Sequence, residues 1–365
     1  MIRKLLSLDW ILMMASSLLI TTGLLSLYTL SLKSVAENGE NYFWRQLIFI
    51  FISLIVLIFL FYFNYRSLLI YSTFIYFFVL FLLIIVLFFG LTIKGTTGWL
   101  NLGLFNLQPV EIAKIGLIIS LASFFSRSKI KIGEMGRVIG SFFIFFSIAI
   151  LVLLQPDTGS ALVLFSIWIG MLFLSGINKK YIIGLLVMLS ILSIISWFFL
   201  ADYQKERLTN LIYPENDPQG SGYNVIQSII AIGSGGIVGK GIGSGSQSQL
   251  NFLPEKHTDF IFAVISEEMG LIGAIFLLIF YLILGYRIKK IAENSPDNFG
   301  YFLSGGILIM FFFQIIINIG MNMGILPVTG IPLPLVSYGG SSLIVSFASL
   351  GILNSIYTNK KTKFD

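Results

Sequence analysis

The sequence predicts an all-α polytopic membrane protein with about ten transmembrane helices. Of its 365 residues, 56% are hydrophobic and only 11% are charged, whereas a soluble domain carries about 25% charged residues. This leaves too little polar surface to cover a water-exposed globule, so most of the surface must meet lipid. Apolar runs of ~20 residues, the length that crosses a bilayer as a helix, also recur along the whole chain.

Ten apolar runs meet this length requirement. The first, 10–30, follows a short basic start but is too long for the hydrophobic region of a signal peptide, so we expect it to remain as the first membrane helix. The other runs are 46–63, 68–92, 109–126, 138–155, 160–177, 181–200, 264–286, 300–325 and 337–357. No fixed-period repeat divides them, which weighs against a transporter built from inverted repeats. We therefore treat 1–365 as a single membrane domain.

Basic residues predict the orientation of these helices. With both termini in the cytoplasm, fifteen Lys and Arg residues fall in cytoplasmic segments and seven fall outside, as the positive-inside rule requires. The net charge of +6 does not indicate nucleic-acid binding, because the basic residues lie in short clusters between apolar runs.

One long extracytoplasmic loop, 201–258, is predicted between the seventh and eighth helices. Its Gly- and Ser-rich stretch, 233–249, is typical of a flexible linker, whereas the apolar segment 225–232 suits a membrane surface. Because long loops with internal order tend to be functional, we expect this loop to be structured.

The chain has no cysteine and a single histidine, His257. This composition excludes a disulfide framework, a cysteine nucleophile and a multi-histidine zinc site. Candidates for chemistry are therefore the carboxylates and basic residues that lie at or near membrane depth, where ionisable groups are costly and tend to be functional.

The segment NLQPVEIAK, 106–114, contains such a pair. Pro109 suits the first turn of a helix, Glu111 falls in that turn, where the helix dipole favours negative charge, and Lys114 follows on the same face. The pair either pins the helix end as a self-satisfied ion pair or forms the polar floor of an outward-facing cavity, and its intramembrane placement favours the second interpretation.

Two aspartates and one broken segment complete the candidates. Asp157, in QPDTGSALV, either caps the following helix or lines the same cavity. Asp259, in LPEKHTDFIFAVISEEMG, borders an apolar run, and partial desolvation there tends to raise a carboxyl pKa toward the range of a general base. Prolines and glycines in 318–342 predict a cavity wall or a re-entrant turn, because broken backbone at membrane depth needs protein or water partners. On these physical grounds alone, Asp259 ranks level with Glu111.

In these segments the sequence resembles the shape, elongation, division and sporulation family, the RodA/FtsW lipid II polymerases. The resemblance rests on QPVEIAK, QPDTGSA, YNVIQSIIAIGSGG, LPEKHTDFIFAVISEE and GILPVTGIPLPLVSYGGSS, in that order, and runs from Asp9 to about Tyr357. Gly98 and Val110 depart from the family pattern, which often has arginine and usually serine there. The opening Asp9-Trp10 and the short tails are closer to RodA than to FtsW.

The resemblance implies a peptidoglycan glycosyltransferase that polymerises lipid II on the outer face of the bacterial cytoplasmic membrane during cell elongation. Asp259 would be the catalytic base that accepts a proton from the acceptor sugar's 4-hydroxyl. Positive charge would meet the leaving undecaprenyl pyrophosphate. The candidate substrate-binding residues are Glu111, Lys114, Asp157, Arg45, Arg207, Gln227, Gln247, Lys256, His257 and Ser341.

The resemblance also implies lipid II, a class B penicillin-binding protein and membrane lipid as partners, and no nucleic acid. A divalent cation, Mg²⁺ or Mn²⁺, is a candidate for assisting the reaction, with its ligands unassigned and no organic cofactor expected. The alternatives are an FtsW-type division polymerase, a lipid II flippase or other lipid transporter, and a catalytically silent scaffold. A flippase would depend most on Glu111 and Lys114 and would tolerate loss of Asp259.

Overall fold

The computed structural model describes residues 7–38, 41–93, 95–101, 103, 106–128, 133–178, 221–250 and 252–361, and a few isolated positions between 180 and 187. Within these residues the chain forms twelve helices and three short strands. They are α1 (Trp10–Asn38), α2 (Tyr42–Tyr62), α3 (Tyr65–Ile70), α4 (Ser72–Phe89), β1 (Leu91–Ile93), β2 (Thr96–Asn101), β3 (Asn106–Leu107), α5 (Pro109–Ser128), α6 (Glu134–Leu153), α7 (Thr158–Leu174), α8 (Ser221–Ser234), α9 (Ser246–Gln249), α10 (Ile261–Glu293), α11 (Asn298–Asn322) and α12 (Gly340–Lys361).

The predicted polytopic helical fold is confirmed. In the described part of the chain, eight helices are long and apolar enough to cross a membrane, namely α1, α2, α4, α5, α6, α10, α11 and α12, and α7 is a shorter apolar helix. These helices coincide with nine of the ten predicted runs. The remaining run, 181–200, lies almost wholly outside the described residues.

Two local features differ from the prediction of uninterrupted helices. The run 68–92 is divided at Tyr71, where α3 ends and α4 begins; the apolar pattern continues across this break, so hydropathy does not locate it. The segment after α4 forms a small antiparallel sheet, in which Trp99 pairs with Leu91 and Leu100 pairs with Leu107. An all-α prediction missed this sheet because its strands are only a few residues long.

Helix α5 lies at the centre of the bundle, in contact with α4, α6, α7, α11 and α12. A helix that is apolar on all sides is expected to be buried, and Ala113, Leu117, Ile118 and Leu121 of α5 are fully enclosed. Around it, α12 packs mainly on α2, and α10 packs mainly on α1 and α11. The N-terminus of α5 is thereby surrounded by other helices.

The predicted cytoplasmic basic residues collect at one end of the bundle. Arg287, near the C-terminus of α10, holds Asp9 at the start of α1 with an N–O distance of 2.6 Å, and the backbone N–H of Asp9 donates to Asn354 of α12. Arg66 binds Asp297 at 2.9 Å. The first and last described helices therefore begin and end on the same side, as the even number of predicted spans requires.

Helix α10 consists of two helical segments joined at Gly270, whose φ of 66° and ψ of −160° are non-helical. The amide groups freed by this break donate to the preceding glycine-rich loop (235–245): Leu271 N–H to the carbonyl of Gly236 at 2.9 Å, and Ile272 N–H to that of Ile237 at 3.2 Å. The two amides at the break therefore hold the loop against α10.

Two adjacent buried glutamates on α10 hold the glycine-rich loop and the short helix α9 that follows it. Glu267 accepts hydrogen bonds from the backbone of Gln247 and Ser248, each at 2.9 Å, and pairs with Lys240 at 2.9 Å. Glu268 accepts from the backbone of Gly243 at 3.0 Å. In its described part, 221–250 and 252–258, the long extracytoplasmic loop is thus structured, as predicted.

Candidate active site

A cavity of about 460 Å³ opens at the end of the bundle opposite the Asp9–Arg287 pair. Its wall contains the N-terminal ends of four helices, α5, α7, α10 and α12, together with β2, α8 and the broken segment that precedes α12. The lining residues are Thr96, Trp99, Gln108, 156–159, Asn224, Glu255, 258–260, 328–330, Pro332 and 338–342. The broken segment is therefore a cavity wall, one of the two predicted alternatives.

Asp259 is part of this wall and is only partly exposed. It lies two residues before Ile261, the first residue of α10, and its Oδ2 atom lies 3.8 Å from the position that a Cβ atom would occupy at Gly330. Gly330 has a φ of +71°, a conformation that favours glycine. A Cβ atom there would make an ordinary van der Waals contact with the carboxylate, so the backbone conformation is what favours glycine at this position.

The backbone of Asp259 is held by two fully buried asparagines of α11. The carbonyl oxygen of Asp259 accepts hydrogen bonds from Nδ2 of Asn318 at 3.0 Å and from Nδ2 of Asn322 at 2.9 Å. The side-chain oxygen of Asn322 also accepts from the backbone N–H of Ala263 at 3.1 Å. Since Phe260 supplies no side-chain cap for α10, Asn322 caps this helix from a neighbouring one.

The two residues before Asp259 are anchored in the same way. The carbonyl of Thr258 accepts a hydrogen bond from the hydroxyl of Ser337 at 2.6 Å, and the carbonyl of His257 accepts from the backbone N–H of Tyr338 at 2.9 Å. Three consecutive carbonyls are therefore paired. Because buried backbone groups rarely remain unpaired, this arrangement holds 257–259 in one conformation.

The predicted residues Asp157 and Ser341 also line the cavity, and Gln108 joins them. Asp157 accepts the backbone N–H of Ser160 at 2.9 Å, so it caps α7, and its second oxygen lies 3.4 Å from Nε2 of Gln108. The backbone N–H of Gln108 donates to the hydroxyl of Ser341 at 3.0 Å. Both interpretations of Asp157 therefore hold, because it is a helix cap and a cavity residue.

Glu111 and Lys114 form a buried ion pair one turn further along α5. The Nζ atom of Lys114 lies 2.7 Å from Oε1 of Glu111, and the two side chains are 1% and 3% exposed. Neither residue is among those that line the cavity in the described part of the chain. The geometry matches the self-satisfied ion pair.

His257 and Lys256 flank Asp259 in sequence but do not line the cavity among the described residues. The imidazole of His257 stacks on Tyr42 with ring centroids 4.2 Å apart, and Nζ of Lys256 donates to the carbonyl of Ser248 at 2.6 Å. These contacts attach the segment before α10 to α2 and to α9.

The remaining predicted residues are more scattered. Arg45 is exposed in the first turn of α2, and Gln247 is anchored through its backbone to Glu267. Gln227 lies on α8, one turn after the cavity residue Asn224. Arg207 lies outside the described residues. The structure therefore brings Asp259, Asp157 and Ser341 to one cavity and leaves the described members of this set, Arg45, Gln227 and Gln247, outside its wall.

The cavity residues missed by sequence reasoning include Gln108, Trp99, Asn224, Glu255 and Tyr338. Glu255 belongs to the same sequence motif as Asp259 and could have been selected from that motif. In the structure its Oε2 atom accepts a hydrogen bond from the hydroxyl of Thr258 at 3.1 Å. Trp99 and Asn224 come from β2 and α8, and no periodicity in the sequence indicates that these elements meet.

The cavity wall contains three carboxylates, those of Asp157, Glu255 and Asp259, and among the described residues it contains no lysine or arginine. Nor does any group of three His, Cys, Asp or Glu in the described part of the chain come close enough together to hold a metal ion. The positive contribution at this wall comes from the dipoles of the four helices that begin there, each equivalent to roughly half an elementary charge at its N-terminus.

The fold and the site together indicate a multi-pass membrane protein with a polar site at its outer face. This site is a cavity with three carboxylates, around which four helices begin. The family model of the FtsW/RodA/SpoVE cell cycle proteins matches residues 9–362. The chain belongs to this family, as its motifs predicted.

The relatives include enzymes and a sporulation protein. Over 291 residues, 80% of this chain and 78% of the relative, the sequence is 45% identical to the peptidoglycan glycosyltransferase MrdB of Escherichia coli K12. It is 35% identical to the stage V sporulation protein E of Bacillus subtilis 168, over 95% of this chain and 96% of the relative.

The fold matches solved structures over 97% of the chain. A peptidoglycan synthase complex, described as coordinating polymerization and crosslinking, contains a chain with 32% identity and a TM-score of 0.81, of which 98% is covered. The rod shape determining protein RodA of Thermus thermophilus has 27% identity and a TM-score of 0.71, with 97% of its chain covered.

Proposed function

We propose that this chain polymerises lipid II into glycan strands at the outer face of the cytoplasmic membrane, with Asp259 as the catalytic base. The observation that carries the proposal is the placement of the Asp259 carboxylate in the wall of a cavity at the end of the bundle opposite the basic residues. The backbone of 257–259 is fixed there, because each of its three carbonyls accepts a hydrogen bond. A polymerase needs a positioned base at the membrane surface, where its lipid-linked substrate lies.

The chain is a peptidoglycan glycosyltransferase, the activity for which its relative MrdB is named. Its similarity to MrdB and to RodA supports a role in cell elongation over one in division. FtsW proteins are also related, for example that of Haemophilus influenzae at 39% identity.

In the proposed reaction, the oxygen of the acceptor sugar's 4-hydroxyl attacks the anomeric carbon of the donor. A carboxylate oxygen of Asp259 accepts the proton that this hydroxyl loses. The bond from this carbon to the pyrophosphate oxygen breaks, and undecaprenyl pyrophosphate leaves. General-base catalysis of this kind contributes about 10²–10⁴-fold to a rate. Anchoring of the backbone matters because the carboxylate must stay within hydrogen-bond reach of the hydroxyl.

The leaving pyrophosphate needs positive charge in a cavity whose described wall has no basic side chain. The N-termini of α5, α7, α10 and α12 support anion binding there, because the dipoles of these helices favour negative charge. A divalent cation remains part of the proposal: Mg²⁺ is usually held by one or two carboxylates together with substrate phosphates, and Asp157 or Glu255 of the cavity wall would be its protein ligand. Such a cation would neutralise developing charge on the leaving group.

We include a class B penicillin-binding protein as the partner. The structural relative functions in a complex that coordinates polymerization with crosslinking, and a strand polymerase requires a separate transpeptidase to crosslink its product.

The decisive experiment gives lipid II to the purified protein, alone and with its cognate penicillin-binding protein, and scores glycan strands on a gel. We expect polymer from the wild-type complex and none from Asp259→Ala, while Glu293→Gln, an exposed carboxylate at the opposite end, keeps full activity. Absence of polymer from the wild-type complex contradicts the enzyme assignment. Polymer from Asp259→Ala contradicts the role of this residue and favours the flippase alternative if lipid II transport then depends on Glu111 and Lys114.

A further inference from the structure

The glycine-rich loop (235–245) exposes a compact set of large aliphatic side chains on the side of the membrane that carries the cavity. Ile237, Val238 and Ile242 are 69%, 75% and 58% exposed. In a loop that projected into water, three such side chains within six positions would form an unfavourable apolar patch. The contacts of the loop with α10 indicate where these side chains lie.

The loop lies beside the lipid-facing surface of α10. Its carbonyls at Gly236 and Ile237 accept hydrogen bonds from Leu271 and Ile272, and these two residues of the spanning helix are themselves 54% and 58% exposed. The exposed side chains of the loop are therefore continuous with a surface that meets acyl chains.

The depth of this contact follows from helix geometry. From Arg287, at the cytoplasmic end of α10, back to Leu271, the helix rises about 24 Å at 1.5 Å per residue. The hydrocarbon core of a bilayer is about 30 Å thick. Leu271 and its hydrogen-bond partner Gly236 therefore lie below the outer boundary of the hydrocarbon, and any tilt of the helix places them deeper.

Non-helical backbone survives at such a depth only where its polar groups are paired. The loop meets this condition at its critical positions: the N–H groups of Lys240 and Gly241 donate to the carbonyls of Glu267 and Glu268, each at 3.0 Å, and that of Gly243 donates to the Glu268 carboxylate. The charge of Lys240 is neutralised by Glu267 at 2.9 Å. The loop thus presents to its surroundings mainly apolar side chains.

We propose that the glycine-rich loop is a re-entrant segment whose residues Ile237, Val238 and Ile242 insert into the acyl chains of the outer leaflet. Its partner is the lipid bilayer itself. Because Glu267 also holds Ser248, and the carbonyl of Ser248 binds Lys256, the inserted loop sets the height of the 256–259 segment, and hence of the cavity, above the acyl chains.

The absence of cysteine allows a direct test, with a polarity-sensitive fluorophore attached to one introduced cysteine at a time. Val238→Cys and Ile242→Cys probe the loop at two independent exposed sites. Ile275→Cys, on the exposed face of α10, is the lipid control, and Lys289→Cys, at the cytoplasmic end, is the aqueous control. The full chain is reconstituted in vesicles of phosphatidylethanolamine and phosphatidylglycerol, with or without lipids that carry a doxyl quencher near the head of the acyl chain.

We expect both loop probes to emit at short wavelength, to lose emission to the doxyl lipid as Ile275→Cys does, and to resist quenching by aqueous iodide. Quenching by iodide with no effect of doxyl lipid, as for Lys289→Cys, would overturn the proposal and identify the loop as a water-exposed surface available to a protein partner. Monodisperse elution of each labelled protein verifies folding, and either loop position alone decides the result if the other variant fails to fold.

Discussion

At the scale of single residues, the position of Asp259 depends on the amides of Asn318 and Asn322. Both asparagines are fully buried on α11 and donate to the same carbonyl oxygen. Asn322 also accepts a hydrogen bond from the N–H of Ala263, which is shared with the carbonyl of Phe260, so one side chain holds both Asp259 and the first turn of α10. These asparagines are positioning residues, since they act on the reaction only through Asp259.

Asn322→Leu is expected to lower the polymerisation rate by up to about 100-fold, the typical cost of misplacing a catalytic group by roughly 1 Å. It should also lower the free energy of unfolding by about 1–3 kcal/mol, because two buried hydrogen bonds of the Asn322 side chain, to the carbonyl of Asp259 and from the N–H of Ala263, are lost at about 0.5–1.5 kcal/mol each. Asn322→Asp, which keeps an acceptor for Ala263 but lacks the donor to Asp259, separates the two roles.

Rates are measured with lipid II and stabilities by thermal unfolding in detergent. Asn294→Leu, at the exposed cytoplasmic end of α10, is the matched control and should change neither. Full polymerisation by a folded Asn322→Leu protein would exclude the positioning role.

The buried pair of Glu111 and Lys114 gives a second prediction at this scale. Removing one partner leaves an uncompensated buried charge, so Glu111→Gln or Lys114→Met should each destabilise the protein by about 3–5 kcal/mol. The double variant should regain most of this loss, because no buried charge then remains.

Thermal unfolding of the two single variants and the double variant measures these stability changes. Polymerisation of lipid II by the double variant distinguishes the two interpretations of the pair. Activity that returns together with stability indicates an ion pair that pins α5. A stable but inactive double variant indicates a direct role in substrate handling.

At the scale of elements, the break in α10 gives one long helix two functions. The segment before Gly270 carries the Asp259 end of the site, and the segment after it is long enough to cross the bilayer by itself, at about 34 Å for 23 residues. The break frees the amides that hold the glycine-rich loop. The cavity end of α10, the glycine-rich loop and the membrane-spanning part of α10 therefore all meet at Gly270.

Gly270→Ala is expected to lower the melting temperature and the activity together. Its φ of +66° disfavours any side chain, and a Cβ atom there would overlap the backbone nitrogen of Gly239. With ψ at −160°, this conformation is essentially restricted to glycine and costs an L-residue about 1–3 kcal/mol. Gly285→Ala, on the same helix with only Leu308 near the new Cβ at 3.7 Å, is the control and should be neutral. An equal effect of both substitutions would show that α10 has no special requirement at its break.

At the scale of the whole molecule, the two ends of the bundle have opposite characters. One end collects arginines that bind Asp9 and Asp297. There, burial and the hydrogen bond to Asp297 raise the pKa of Tyr65, so its hydroxyl remains a donor. The other end collects four helix N-termini around three carboxylates. This division matches a protein whose basic end faces the cytoplasm and whose chemistry faces outward.

The orientation can be tested with single cysteines in spheroplasts. Asn101→Cys, exposed at the end of β2, should react with a membrane-impermeant maleimide in intact cells. Lys289→Cys should react only after lysis. The reverse pattern would invert the topology and place the cavity in the cytoplasm, where a strand polymerase would have no access to the cell wall.

The sequence by itself determined the membrane class, nine helix positions within the described residues, and the motif that contains Asp259. Composition and runs of ~20 apolar residues are sufficient for this, because the bilayer imposes one length and one polarity on every span. The sequence also identified Asp157 and Ser341 as candidates, and both line the cavity. The role of Glu111 and Lys114 as a cavity floor stays a prediction: neither is among the described residues that line the cavity, and hydropathy does not indicate which side of a helix its neighbours cover.

Only the tertiary structure decided which chain segments meet. Asn318 and Asn322 lie about 60 residues from the carbonyl they hold, and Trp99 and Asn224 reach the same cavity from opposite parts of the chain. Such contacts depend on how helices pack against one another, and local periodicity carries no information about that. The predicted carboxylate at position 259 became a site because packing anchors its backbone and gathers four helix N-termini around it.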